Sequence, residues 1–234
     1  MLTDVSEAVR RLLTEDMKPH PTVVLDPDKF RRDHCYTIEV VNVLTPHEPS
    51  LRNIFKGVAG GSGRSGKGSD MVALDEWCNF VQALGFIGID LTARDAAFAF
   101  AWSRMAVING RSDRGYIKES SLPFEGFMEA ICRIAALKAL PTDAEIAEAK
   151  QPNAGAFMAA LKADEEDAYL AMLAERATPW GSEPTLQPMA RCIEHTIAMI
   201  IYQMEWDVAG TENMKLSEQE AVAWFKAKGI YAYH

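Results

Sequence analysis

Clustered cysteines are missing from this chain: Cys35, Cys78, Cys132 and Cys192 lie far apart, with no CxxC spacing. That excludes the dense disulfide framework of small secreted domains and the paired-thiolate zinc site. Each cysteine falls in an apolar stretch of helical pattern, where a reduced core thiol is expected. Long apolar runs are missing too. The longest, Ala96 to Trp102 and Ile197 to Tyr202, fall far short of the ~20 residues that a helix needs to span a bilayer. Asp4 and Glu7 stand where a secretory signal would need basic and then apolar residues, so the expected setting is cytosolic or cytoskeletal, without membrane insertion. Positive charge is scarce: 24 Lys and Arg against 33 Asp and Glu leave a net charge of -9 and a pI near 5.1. Such a balance opposes broad attraction to nucleic acid or anionic membrane and favours partners with basic or apolar surfaces.

What is present is enough apolar material, 48% of residues, to bury the core of one large domain or two small ones. Its spacing is helical. Val5, Val9, Leu12, Leu13 and Met17 give a short amphipathic helix, with Asp4 and Glu7 placed as a capping pair and Pro19 and Pro21 as its breakers. Phe30, Cys35, Ile38, Val41 and Leu44 make a second stripe, against the β-branched content around them. Thr45-Pro46-His47-Glu48 reads as a helix start, with a Thr cap and Pro in the first position, and Leu51, Ile54, Phe55 and Val58 follow as its buried face.

Beyond the glycine-rich stretch Gly60 to Ser69, Trp77, Cys78, Phe80, Val81 and Leu84 predict a helix closed by Gly85. Thr92 with Asp95 starts the next, where Phe98, Phe100, Trp102, Met105 and Val107 leave so little polar face that this helix is expected at the centre of the core. Asn109-Gly110 ends it, a polar loop runs to Ser121, and Phe124 to Leu137 forms the answering helix. Thr142 and Glu145 cap a short helix, and Asn153 to Ala177 predicts one longer helix. The turn-rich segment Thr178 to Pro188 is the best internal boundary. Met189 to Trp206 and Val222 to Phe225 supply the last helices, the final one stopped by Gly229.

One pattern repeats. A calcium-binding EF-hand needs an incoming helix, a loop with oxygen ligands at alternate positions, an apolar residue at loop position eight and an exiting helix. Val72 and Leu122 both fit position eight, Trp77 and Phe127 both follow the loop, and Glu76 takes the terminal ligand position of the first unit. The ligand halves do not match. In the first unit the first, third and fifth positions are Ser65, Lys67 and Ser69, with Asp70 where a glycine would allow the sharp turn. In the second, Gly115, Ile117 and Glu119 fill those positions and Gly126 the last. A lysine in place of a carboxylate opposes a divalent cation, so neither loop is expected to hold calcium. The two apolar residues are expected to pair through a short backbone ladder that joins the four helices without metal. A third stretch, Asp207 to Glu218, offers Asp207, Thr211, Met214 and Glu218 in register, but a helix start capped by Ser217 is the expected reading there. Glu76, Asp207 and Glu218 are the only metal-ligand candidates.

The series Leu51-Arg52-Asn53-Ile54-Phe55, Met71 to Trp77, Leu91 to Phe98 and Leu122 to Ala130 resembles the degenerate EF-hand-like modules of flagellar-associated proteins from algae and other protists. It is also distantly similar to the core domain of tubulin polymerization-promoting proteins. The resemblance covers roughly residues 45 to 146. Together with the helical spacing along the rest of the chain, it makes the expected fold all-α, with N-terminal helices at 1–44, a degenerate EF-hand-like pair at 45–150, and a C-terminal helical region at 151–234 holding the possible third unit. The resemblance implies an axonemal or microtubule-associated scaffold within a larger assembly, whose partners are axonemal or microtubule-associated proteins. Trp77, Phe80, Trp102 and Phe127 are its candidate partner-binding aromatics, although core packing is the commoner fate of such residues.

Two other readings rest on single features. A calcium-responsive regulator would need Glu76, or Asp207 and Glu218, to find further ligands. A nucleotide-binding protein would use Gly60 to Ser69, which nearly spells a phosphate-binding loop but has Gly68 where magnesium needs a hydroxyl. The five histidines show no metal-ligand spacing, and the His34-Cys35 side chains diverge on a helix. Glu194, His195 and Glu205 could include a buried titrating pair. No catalytic constellation and no cofactor are expected.

Overall fold

A computed structural model describes residues 5–11, 27–59, 71–182, 186–209 and 215–230. The fold is all-α. Its helices are α1 (Val5–Arg11), α2 (Pro27–Phe30), α3 (Ile38–Ala59), α4 (Leu74–Ala83), α5 (Ala93–Ser103), α6 (Asp113–Ser120), α7 (Phe124–Leu137), α8 (Asp143–Glu148), α9 (Ala154–Asp164), α10 (Glu166–Arg176), α11 (Met189–Ala209) and α12 (Glu218–Ala227). A π-helical segment, Arg31–Cys35, links α2 to the turn before α3. The expected capping of the first helix by Asp4, and the Pro19 and Pro21 breaks, lie outside the described residues.

Local chemistry sets most boundaries. Thr92, Thr142 and Ser217 each accept the backbone N–H three residues on, while Asp95, Glu145 and Glu220 return the bond to the cap. Gly85, at φ +71°, ends α4: its N–H meets the Gln82 carbonyl and the Phe86 N–H meets that of Val81, a Schellman closure. Gly229 closes α12 the same way, through Lys226 and Phe225.

Elsewhere the expectations are overturned. The helix expected to begin at Thr45 begins at Ile38 and runs 22 residues with Pro46 and Pro49 inside it. Thr45 is not a cap, since its hydroxyl donates back to the Val41 carbonyl at 2.7 Å. Both prolines face solvent, so the carbonyls they leave unbonded, those of Asn42 and Thr45, stay within reach of water. Ile38 and Val41, expected to be buried, are exposed, and Val40 is buried instead. The polar loop expected before Ser121 contains α6. The single helix expected from Asn153 to Ala177 is two, broken at Glu165, whose φ of -140° and ψ of 63° are not helical.

The central helix is α7, not α5. Twelve residues of α7 are buried, from Phe124 through Leu137, whereas α5 turns Phe98 outward and keeps only Ala96, Ala99, Phe100 and Ser103 inside. Helices α3, α5 and α11 pack around α7, and α11 also meets α9 and α12. A chain of edge-on and tilted rings runs through the core: Phe55 to Phe127 at 5.5 Å, Trp77 to Phe127 at 5.7 Å, Phe80 to Phe127 at 6.0 Å and Phe80 to Trp224 at 6.2 Å. The segments 1–44, 45–150 and 151–234 thus contribute to one hydrophobic cluster, and α3 crosses the first of those boundaries.

Candidate functional site

The repeated pattern comes together at one point. Val72 and Leu122, fifty residues apart in sequence, form an isolated antiparallel bridge, with each N–H donating to the other's carbonyl at 2.8 Å. Both side chains are fully buried. A pair of reciprocal bonds with apolar side chains directed into the core fixes the starts of α4 and α7 against each other. Five residues past each bridge residue, Trp77 and Phe127 meet edge-on with an interplanar angle of 89°, and the Trp77 indole donates to the Ala96 carbonyl at 2.9 Å.

The residues counted as ligands serve other ends. Glu76 is buried, and its carboxylate accepts the Ala73 N–H at 2.7 Å, closing the first turn of α4. In the second unit Gly115, Ile117 and Glu119 lie on α6 rather than in an open loop. Gly126 packs against α5 so closely that a Cβ would lie 2.9 Å from the Ser103 carbonyl oxygen, so a glutamate in that last ligand position would break the α5–α7 contact. Ser65, Lys67, Ser69 and Asp70, and the Gly60 to Ser69 nucleotide-loop candidate with them, lie outside the described residues. Asp207 belongs to α11, where it accepts bonds from the Trp224 indole at 2.9 Å and the Gln203 amide at 2.9 Å and pairs with Lys228 at 2.9 Å. Glu218 opens α12 and faces Lys56 at 3.5 Å. Ser217 is the cap, as expected.

Of the four candidate partner aromatics, Trp77, Phe80 and Phe127 are sealed in the interior. Trp102 is half-buried at the end of α5, 6.3 Å from Trp180, which also meets Phe98 at 5.5 Å.

A second constellation was not singled out from sequence. Glu129, with a side chain 1% exposed, sits on α7 at the centre of a charge cluster. Arg31 reaches its carboxylate through Nε at 2.9 and 3.1 Å, and Arg133, one turn on, reaches it at 2.7 and 3.0 Å. The Tyr36 hydroxyl donates to it at 2.9 Å, and burial followed by that negative charge pushes the Tyr36 phenol well up. Arg31 also donates to the carbonyls of Trp102 and Arg104, each at 3.2 Å, and Arg133 stacks over Phe30 at 4.4 Å. The π-helical winding, marked by the Tyr36 N–H bonding five residues back to Arg31 at 2.8 Å, lets Arg31 and Tyr36 converge on one carboxylate. Between them lies Cys35, and its proximity, together with burial, pushes the Cys132 thiol well up. The one sequence signal for this centre was a Glu and an Arg four apart within a largely apolar helix.

Other polar side chains pair away from this centre. Lys138 and Asp90 pair at 2.8 Å, with Asp90 accepting the Ala139 N–H. Arg191 bridges Asp143 and Glu194. His195 lies 3.3 Å from Asp143, not beside Glu205, and burial lowers its pKa. Glu205 instead accepts the Lys215 N–H at 2.8 Å. A cavity of about 330 Å³ opens among Lys138, Leu140, Arg176, Thr178, Gln187 and Cys192. Its two cations are spent, Lys138 on Asp90 and Arg176 on Glu145 at 2.9 Å and the Leu140 carbonyl at 3.0 Å.

No protein-family model, curated protein or solved structure matches the chain. Among the described residues, no helix is long and apolar enough to cross a membrane.

Proposed function

We propose that this chain is a non-enzymatic structural or adaptor protein of the ciliary or flagellar axoneme, built on a metal-independent, EF-hand-like pair of helix-loop-helix units. The observation that carries this reading is the Val72–Leu122 bridge, because two position-eight residues joined by reciprocal backbone bonds are what such a pair needs to hold together. The ligand positions support metal independence: a capping carboxylate at Glu76, a helix through Gly115 and Glu119, and a close packing contact at Gly126 replace a cation's oxygens. A scaffold role is supported by the way several buried titratable side chains are taken up inside the fold, Glu129 by Arg31 and Arg133, Lys138 by Asp90, and Glu76 and Glu205 by backbone N–H groups. The ciliary setting rests on the motif series between residues 45 and 146.

Fractionation of ciliated or flagellated cells that express the tagged chain tests the setting. The expected outcome is retention in demembranated axonemes and release only by high salt. A protein found wholly in the soluble pool would overturn the axonemal reading. Calorimetry against millimolar calcium tests the module: no binding heat is expected, and a saturable heat would replace the scaffold with a calcium-responsive regulator.

A further inference from the structure

Between α5 and α7 the chain makes an excursion that the core does not require. Residues 104–118 hold Arg104, Arg111, Arg114 and Lys118 against one acid, Asp113, with a second, Glu119, directly after them, in a protein whose net charge is -9. Several cations elsewhere find carboxylates: Arg31 and Arg133 on Glu129, Lys138 on Asp90, Arg176 on Glu145, Arg191 on Asp143 and Lys228 on Asp207. Among the described residues, Arg111, Arg114 and Lys118 pair with none. The same stretch turns its apolar side chains outward, with Met105 54%, Tyr116 66% and Ile117 46% exposed and Ile108 wholly so.

The arrangement is preformed. Ser112 caps α6 by accepting the Gly115 N–H at 3.0 Å, Gly115 packs on the Asn109 carbonyl with no room for a side chain, and Arg104 ties the start of the excursion to the Glu119 carbonyl at 3.4 Å. Arg114, Ile117 and Lys118 stand at i, i+3 and i+4 on α6, so two cations flank an isoleucine on one outward face. Unmatched charge beside exposed apolar surface, held in a fixed shape, is the composition of a recognition surface rather than of a solvated loop.

We propose that this excursion is a docking surface for an acidic protein segment carrying apolar side chains. The whole-molecule charge selects among anionic partners. A flat anionic bilayer or a duplex would bring its charge against the acidic remainder of the surface, whereas a narrow acidic peptide can meet Arg111, Arg114 and Lys118 alone. The inference deepens the scaffold reading and rests on it only for the expectation that a partner exists.

The test is fluorescence anisotropy with a labelled peptide that alternates glutamate and leucine, titrated with the full chain at low and at physiological salt. Binding that weakens with salt is expected, with at least a ~10-fold loss in the Arg111→Glu/Arg114→Glu/Lys118→Glu variant. A comparable loss is expected in Ile108→Ser/Ile117→Ser, and no binding for a peptide with lysine in place of glutamate. Circular dichroism and thermal unfolding of both variants should match the parent closely, since none of these side chains is buried. An unbound acidic peptide, or unchanged affinity in the charge-reversed variant, would overturn the proposal. So would tighter binding to phosphatidylserine vesicles or to a single-stranded oligonucleotide than to the peptide. Absence from axonemes would sink the ciliary setting and leave this affinity intact; loss of the affinity would do the reverse.

Discussion

The Glu129 centre and the 104–118 excursion both concentrate arginine, and they treat it in opposite ways. At Glu129 two guanidiniums and a phenol surround one buried carboxylate, so each charge taken out of water is matched. In the excursion three cations stay in water without an ion pair, although Asp113 and Glu119 neighbour them in sequence, and isoleucine and tyrosine stand exposed next to them. Buried ions must be paired because desolvation costs several kcal/mol per ion, so the first cluster is explained by the fold it holds together. Exposed ions need no partner for stability, so the second cluster owes nothing to the fold's own energetics and stays free to meet a ligand. That difference separates a structural charge cluster from a surface available to a ligand.

The comparison breaks most readily at Glu129. Glu129→Ala leaves Arg133 buried without a counter-charge and frees the Arg31–Tyr36 segment from α7, and a loss of about 3–5 kcal/mol is expected. Urea denaturation checks it, and a change below about 1 kcal/mol would mean that the buried cluster contributes little. A smaller effect is expected at Glu145, which is partly exposed. Its hydrogen bonds with Arg176 hold the carboxylate down to about 2, so its contribution is complete above the ordinary glutamate value near 4.5 and is lost as pH falls from there towards 2. Allowing for solvent screening, that contribution is about 1 kcal/mol. Stability curves between pH 5 and 2 should therefore fall less steeply for Glu145→Ala than for the parent. The smallest effect belongs to the excursion: Arg111→Glu/Arg114→Glu/Lys118→Glu should change unfolding free energy by less than about 0.5 kcal/mol. A larger loss would show that the excursion stabilises the fold after all.

Several elements were legible because their cause is local. Thr92 with Asp95, Thr142 with Glu145, and the glycines at 85 and 229 act on the nearest few backbone groups, and they stand where the spacing put them. The pairing of Val72 with Leu122 was legible for a different reason: two copies of one apolar pattern offered each other the same unpaired backbone edge. Pro46 misled because its meaning depends on the side of the helix it faces. In a helix whose other face carries Leu51, Ile54 and Phe55 into the core, a solvent-facing proline is tolerated rather than taken as a start. The α6 helix was hidden because its apolar residues face water and give no amphipathic signal.

The amino-acid order alone determined the all-helical class, most of the caps and stops and the paired apolar positions, since these follow from interactions within a turn or two of chain or from a repeated spacing. Tertiary structure alone decided that α7 rather than α5 is central, that Trp77, Phe80 and Phe127 are sealed inside, and that Arg31 travels 98 residues along the chain to meet Glu129. Burial and charge pairing are properties of what surrounds a residue. Those surroundings come from distant segments whose approach no local pattern encodes.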